Sequence, residues 1–181
     1  DVAVLVLDSA EQVSDQDATI AGYAMDRGKA CLILGNKWDL SKEKEISFDE
    51  FEEHVRYRLK FMEYAPVVTV SAKTGLRIDK ILPQVEKVYE EYSRKIPTST
   101  LNECFERAIQ KNPMSSYRGK FMKLFYATQV KKQPPTFKCF LNFPQGIHFS
   151  YRRYLINSLR KTFGFAGTPV RLILSGKRKG I

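Results

Sequence analysis

The chain has 181 residues, of which 43% are hydrophobic and 28% charged, and its net charge is +10. This is enough apolar material for one or two small domains with real cores, and no apolar stretch is long enough to span a membrane. Cys31, Cys104 and Cys139 are scattered and lack metal-ligand spacing, which argues against a disulfide framework or zinc site and leads us to expect a reducing, cytoplasmic setting.

In chain order, Val2 to Asp8 is a continuous apolar run, the pattern of a strand buried on both faces. Because the chain enters its first strand at once, we expect the C-terminal part of a longer protein. Asp15 to Met25 reads as a helix. Ala30-Cys31-Leu32-Ile33-Leu34 is a second strand, and it runs into Asn36-Lys37-Trp38-Asp39. Ser47-Phe48-Asp49-Glu50 is a capping box. It opens a helix with Phe48, Phe51, Val55, Leu59 and Met62 at helical spacing. Pro66 to Val70 is a third strand, followed by Ser71-Ala72-Lys73-Thr74-Gly75. A helix then carries Ile78, Ile81, Leu82, Val85, Val88, Tyr89 and Tyr92 on one face. Strands alternating with helices imply a parallel sheet covered on both sides.

The two loops carry chemistry. Asn-Lys-x-Asp and Ser-Ala-Lys, each at a strand's carboxyl end, resemble the guanine-contacting loops of P-loop GTPases, and open α/β sheets bind ligands at that end. The Asp39 carboxylate can accept two hydrogen bonds, from guanine N1–H and the exocyclic amine. Adenine lacks that pair of donors and would leave the acid unpaired. Asn36 can reach the other edge of the base or tie the loops together, the Lys37 stem can lie against the ring, and the N–H near Ala72 can donate to guanine O6. Ser71 and Lys73 complete the guanine-binding set. No Gly-x-x-x-x-Gly-Lys-Ser/Thr occurs, so no catalytic residue is assigned and this chain alone is expected to hydrolyse no GTP.

Lys95-Ile96-Pro97-Thr98 marks the expected boundary between residues 1–97 and 98–181. The first part holds 14 Lys+Arg against 18 Asp+Glu, a net of −4. The second holds 16 Lys+Arg and, as acids, only Glu103 and Glu106, a net of +14. A unit of that charge suits a polyanionic partner. Thr100-Leu101-Asn102-Glu103 reads as a capping box for a helix ending near Lys111. Lys120 to Val130 reads as a strand with Met122, Leu124, Tyr126, Thr128 and Val130 on one face. After the turn Lys131 to Pro135 come a strand from Thr136 to Phe143, a helix from Ser150 to Phe163 and a strand from Val170 to Leu174.

In the helix from Ser150, Tyr151, Tyr154, Leu155, Leu159 and Thr162 form the expected core face. Arg152, Arg153, Arg160 and Lys161 lie elsewhere around it as candidate contacts to RNA or to another domain. Lys177-Arg178-Lys179 is either an RNA-touching arm or a frayed end. No base-stacking aromatics are identified. Gly164-Phe165-Ala166-Gly167 fits the Gly-x-x-Gly of nucleic-acid-clamping KH domains, but it lies between a helix and a strand, where Gly164 is expected as an αL cap. His54 and His148 have no acid or cysteine partner at catalytic spacing and receive no role.

Asn36 to Leu40, Tyr126 to Val130, Pro134 to Phe137, His148 to Leu155, and Phe163-Gly164-Phe165 with Gly167-Thr168-Pro169 together resemble the EngA/Der family of tandem-GTPase ribosome-assembly factors. The resemblance covers the whole length. It implies an incomplete P-loop GTPase parallel sheet with flanking helices over 1–97 and a small α+β KH-like domain, ordered α-β-β-α-β, over 98–181. It also implies GTP/GDP as ligand, Mg²⁺ in the intact parent, and two GTPase domains upstream. The partners implied are the large ribosomal subunit, its rRNA and those upstream domains, with no membrane. An alternative is an RNA-binding module in which the partial GTPase unit is only structural. An Era-type protein with one GTPase domain is a third reading.

Overall fold

A computed structural model describes residues 1–41 and 43–176. It divides into two compact units, one of residues 1–92 with 166–169 and the other of the remaining chain from Ser93. Lys177-Arg178-Lys179 lies outside the described residues. Among those described, no helix is long and apolar enough to cross a membrane.

The first unit is built on a parallel sheet ordered β1-β2-β3, formed by β1 (Val2–Asp8), β2 (Ala30–Asn36) and β3 (Val67–Thr69). α1 (Asp15–Asp26) and α2 (Phe48–Arg58) begin with complete capping boxes at Ser14 and Ser47. Each box satisfies two backbone N–H groups that the first helical turn leaves without partners. Leu7, Cys31, Ile33, Phe51 and Val55 form the core on one face of the sheet. On the other face α3 (Ile81–Ser93) brings Ile81, Val85, Val88 and Tyr92 against β2 and β3.

Two expectations are corrected here. β2 is buried from Ala30 to Gly35, but β1 is a sheet edge, and its Val4 and Val6 are exposed, Val6 to 56%. The seven-residue face expected after residue 77 is narrower than its pattern suggests. The stripe at 81, 85, 88 and 92 packs, while Ile78 precedes the helix and Leu82 is 72% exposed.

The second unit has the expected α-β-β-α-β order, in α4 (Thr98–Lys111), β4 (Leu124–Lys131), β5 (Thr136–Leu141), α5 (Phe149–Phe163) and β6 (Arg171–Gly176). The sheet runs β4-β5-β6, antiparallel then parallel. Leu101, Phe105, Leu155 and Leu159 from the helices meet Ala127, Phe137 and Leu172 from the sheet. The tyrosines of α5 serve both packing and polar satisfaction. Tyr154 donates to Ala108 O at 2.7 Å, which also accepts Asn112 N–H at 3.0 Å, and Tyr151 donates to Asn112 O at 2.6 Å, just past the C-terminal end of α4.

The Thr100 capping box does not form. Pro97 is the N-cap, so the helix already runs at Thr98 and Thr100 sits inside its first turn. Thr162 is exposed rather than core-facing, and its hydroxyl lies 3.3 Å from the Cys104 thiol that donates to it. The face expected for β4 is also wrong. Register irregularities fall between Leu124 and Tyr126 and between Gln129 and Lys131. A one-residue slip exchanges the faces of a strand. Ala127 therefore points into the core, and Tyr126 stacks on Phe140 in the open, with ring centroids 4.5 Å apart and planes inclined by 15°.

Candidate functional site

Parallel pairing sets Asp8 beside Asn36 at the carboxyl ends of β1 and β2. Trp38 N–H donates to Val70 O at 3.0 Å, which joins the Asn36–Asp39 loop to the end of the third strand. The Trp38 ring stands edge-on to Phe51 at 5.8 Å and fixes the short turn that carries Asp39. Gly35 permits this packing, since a Cβ there would fall 2.5 Å from the Phe51 ring.

The two loops are cross-tied by the side chains of Asn36, Asp39 and Ser71. Ser71 is fully buried, and its hydroxyl donates to Asp39 Oδ1 at 2.6 Å while accepting Thr74 N–H at 3.2 Å. Asn36 Oδ1 accepts Ala72 N–H at 3.0 Å. Of the two roles open to Asn36, the structure shows the loop-tying one. The amide expected to meet guanine O6 is already engaged. Asn36, Lys37, Asp39, Leu40, Ala72 and Lys73 line a cleft of about 280 Å³. Carboxylate oxygens each carry two acceptor sites, so the Ser71 bond leaves Asp39 able to accept from a ligand.

Lys37 adopts a left-handed backbone, φ 63°, and its ammonium pairs with Asp8 Oδ2 at 2.5 Å. This hydrogen bond and charge raise the Lys37 pKa above its usual value. Burial alone would raise the Asp8 carboxyl, but Lys37 and the Ala10 N–H outweigh it and hold Asp8 below the usual carboxylate value. Sequence reasoning missed Asp8. Its signal was an acid ending an apolar strand that pairs in register with the strand of the motif. Among the described residues no group of three His, Cys, Asp or Glu side chains could hold a metal ion.

The expected basic set on α5 divides in two. Arg152 donates to Leu172 O, and Arg160 donates to Phe165 O at 2.9 Å. Both bind the helix to its own unit's backbone. Arg153 and Lys161 are exposed, with the Arg153 guanidinium 5.4 Å from the Phe149 ring centre. Gly164 caps α5 at φ 89°, ψ −97°, a positive φ but not the αL conformation expected. Gly167 is buried in the first unit. Its N–H donates to Tyr64 O at 2.7 Å and its carbonyl accepts Cys31 N–H at 2.6 Å. The two histidines are local fasteners. His54 accepts Val13 N–H at 3.2 Å, and His148 N-caps α5.

A parallel sheet with guanine-type loops at its carboxyl ends, followed by an α-β-β-α-β unit, defines a GTP-binding-domain protein with a KH-like appendage. A family model described as "Elongation factor Tu GTP binding domain" matches residues 1–92. One described as "KH-domain-like of EngA bacterial GTPase enzymes, C-terminal" matches residues 95–174. The chain belongs to the EngA/Der family of bacterial GTPases. Relatives named GTPase Der include that of Moorella thermoacetica, 48% identical over 99% of this chain and 41% of its own length. Those of Geotalea daltonii and Bacillus thuringiensis are 44% and 46% identical over 98% and 96% of this chain, and 40% of their own lengths. The chain thus spans about two fifths of the length of the curated relatives it matches.

Proposed function

We propose that this chain is the guanine-reading and RNA-docking portion of a GTP-hydrolysing ribosome-biogenesis factor that acts in the cytoplasm on the large ribosomal subunit. The carrying observation is the Asn36–Ala72 and Asp39–Ser71 cross-tie, which sets the Asp39 carboxylate and an Ala72 N–H held by Asn36 at one cleft. Guanine enters with N1–H and its amine on Asp39, and its O6 takes the Ala72 N–H from Asn36. Family membership implies GTP/GDP as the ligand, with Mg²⁺ and the phosphate-binding residues supplied outside this chain. By itself this chain hydrolyses no GTP. The basic second unit docks on rRNA or on GTPase domains of the same protein. Nucleotide-driven rearrangement of domains would then expose or hide that surface.

The test is a titration of the chain with guanosine, xanthosine and adenosine, followed through the amide resonances of residues 36–40 and 71–73. Guanosine should shift the Ala72 amide and adenosine should not. Asp39→Asn presents one donor and one acceptor, so it should exchange the preference for guanosine for one for xanthosine, a loss toward guanosine of about 2–4 kcal/mol. If no nucleoside shifts these amides while RNA binding persists, the first unit is only a structural support for an RNA-binding module.

A further inference from the structure

Sheet β4-β5-β6 has one face packed under α4 and α5 and one face that is not. The packed face carries Ala127, Phe137, Cys139 and Leu172. Residues of opposite parity fall on the other face, where pairing aligns Tyr126 with Phe140 and Ser175, and Thr128 with Lys138 and Ile173. Tyr126 is 48% exposed and Ile173 is also exposed. The Tyr126 and Phe140 rings are stacked nearly parallel, and the Lys138 ammonium sits 5.2 Å from the Phe140 ring centre. Further along the strands pairing aligns Lys131 with Thr136 and Arg171, and these, with Ile173 and with Arg152 and Ile156 of α5, line a cleft of about 670 Å³ at the β6 edge. β6 is an edge strand. The only acids of residues 98–181, Glu103 and Glu106, lie on α4, across the sheet from this face.

We infer that this open face, with the Tyr126–Phe140 stack at its centre and Lys131, Lys138 and Arg171 around it, binds single-stranded RNA by base stacking. The inference rests on the reading of the basic unit as an RNA-docking unit and specifies its surface. A flat aromatic pair offers a ring face to any base, and cations beside it follow the phosphates. This combination of stacking and charge recurs in sequence-tolerant single-strand binders. The Thr128 and Ser175 hydroxyls on the same face can meet a ribose 2′-OH, the group that separates RNA from DNA. A protein partner bringing acids is the competing occupant.

The experiment uses the whole 181-residue chain and a fluorescein-labelled oligouridylate of about 12 nucleotides, within the usual site size, read by anisotropy at several salt concentrations. An oligothymidylate of equal length and a copy with 2-aminopurine at one central base run beside it. Tyr126→Leu keeps the apolar bulk of a half-exposed side chain. It should weaken RNA binding about tenfold, the loss of one stacked base, and abolish 2-aminopurine quenching without changing the salt slope. Tyr126→Phe should bind like wild type. Lys138→Gln with Arg171→Gln should flatten the slope of log affinity against log salt by about 1.4, two phosphate contacts.

Wild-type chain that fails to bind RNA even at low salt would overturn the docking reading itself. Wild-type binding that ignores both Tyr126→Leu and Phe140→Leu, with folding intact by circular dichroism, would overturn only the platform. Equal or tighter binding of the oligothymidylate would overturn RNA as its ligand. Loss of self-association in Tyr126→Leu with RNA affinity intact would assign the face to a second protein chain.

Discussion

The two units encode their candidate sites in different ways. In the first, Asn36, Lys37 and Asp39 are consecutive or nearly so, as are Ser71, Ala72 and Lys73. Each group follows a strand whose parallel register places the two loops side by side. In the second, the open-face residues Tyr126, Lys138, Phe140 and Arg171 are spread over 46 positions and meet only through sheet pairing. A loop site survives small errors in strand assignment. A sheet-face site does not, because one slipped residue exchanges core and solvent.

The sharpest way to break this comparison is at Gly167. If Gly164 to Gly167 were a nucleic-acid clamp, the second unit would also carry a contiguous loop site. The structure gives Gly167 packing duties instead. Its φ is 69°, and a Cβ there would lie 2.7 Å from Val88 and 2.9 Å from Cys31 O. Gly167→Ala combines left-handed backbone strain with overpacking and should destabilise the chain by about 2–4 kcal/mol in urea unfolding. At a temperature where the variant is folded, its RNA affinity should equal wild type. Unchanged stability with lost RNA affinity would restore the clamp.

The division within α5 sharpens the comparison further. Arg152 and Arg160 make charge-assisted bonds to backbone carbonyls. Replacing either with Ala should remove about 1.5 kcal/mol, whereas Arg153→Ala and Lys161→Ala, at exposed positions, should stay within about 0.5 kcal/mol. Charge-reversal of Arg152, Arg153 and Arg160 together therefore confounds folding with RNA contact. Arg153→Glu with Lys161→Glu tests contact alone. Equal effects from all four alanine variants would mean that the carbonyl bonds do not hold in solution.

Much of the fold was legible because its signals are local. Ser47 and Glu50 announce α2 through a hydrogen-bonding box of four residues, and the apolar runs at β1, β2 and β3 are separated by helical spacing. Burial was less legible. Val4 and Val6 are as apolar as Val2, yet among the described residues they are exposed, and Leu82 differs from Ile81 only by its angle around α3. The Thr100 box failed because Pro97, already extended at φ −60° and ψ 141°, serves as the N-cap three residues earlier. Tyr126 was placed on a regular face because bulges leave little trace in alternation. The two loops lie at the ends of paired strands as their sequence context suggests, but the Asn36–Ala72 bond and the Asp8–Lys37 pair depend on three-dimensional register that no spacing rule supplies.

The smallest expected effect tests whether Asp8 belongs to the first unit's site. Its carboxyl lies below the ordinary value of 3.8 because Lys37 and the Ala10 N–H together outweigh burial. Its contribution to stability is complete above that ordinary value and fades as pH falls through the lowered one. Lys37 lies above its ordinary 10.5, chiefly through its hydrogen bond to Asp8, so its share is complete below 10.5 and fades only as pH rises beyond it. Between these flanks the pair is constant, and neutral-pH stability should be flat with respect to it. Carbon-detected titration of the Asp8 carboxyl should give a midpoint below 3.8, moving upward in Lys37→Gln. Asp8→Asn releases the Lys37 ammonium without touching Asp39, so guanosine should remain preferred over adenosine while affinity changes. A midpoint indifferent to Lys37→Gln would mean that the pair does not form. Loss of base preference in Asp8→Asn would instead mean that Asp8 helps to read the base, and the site would span three strand ends rather than two.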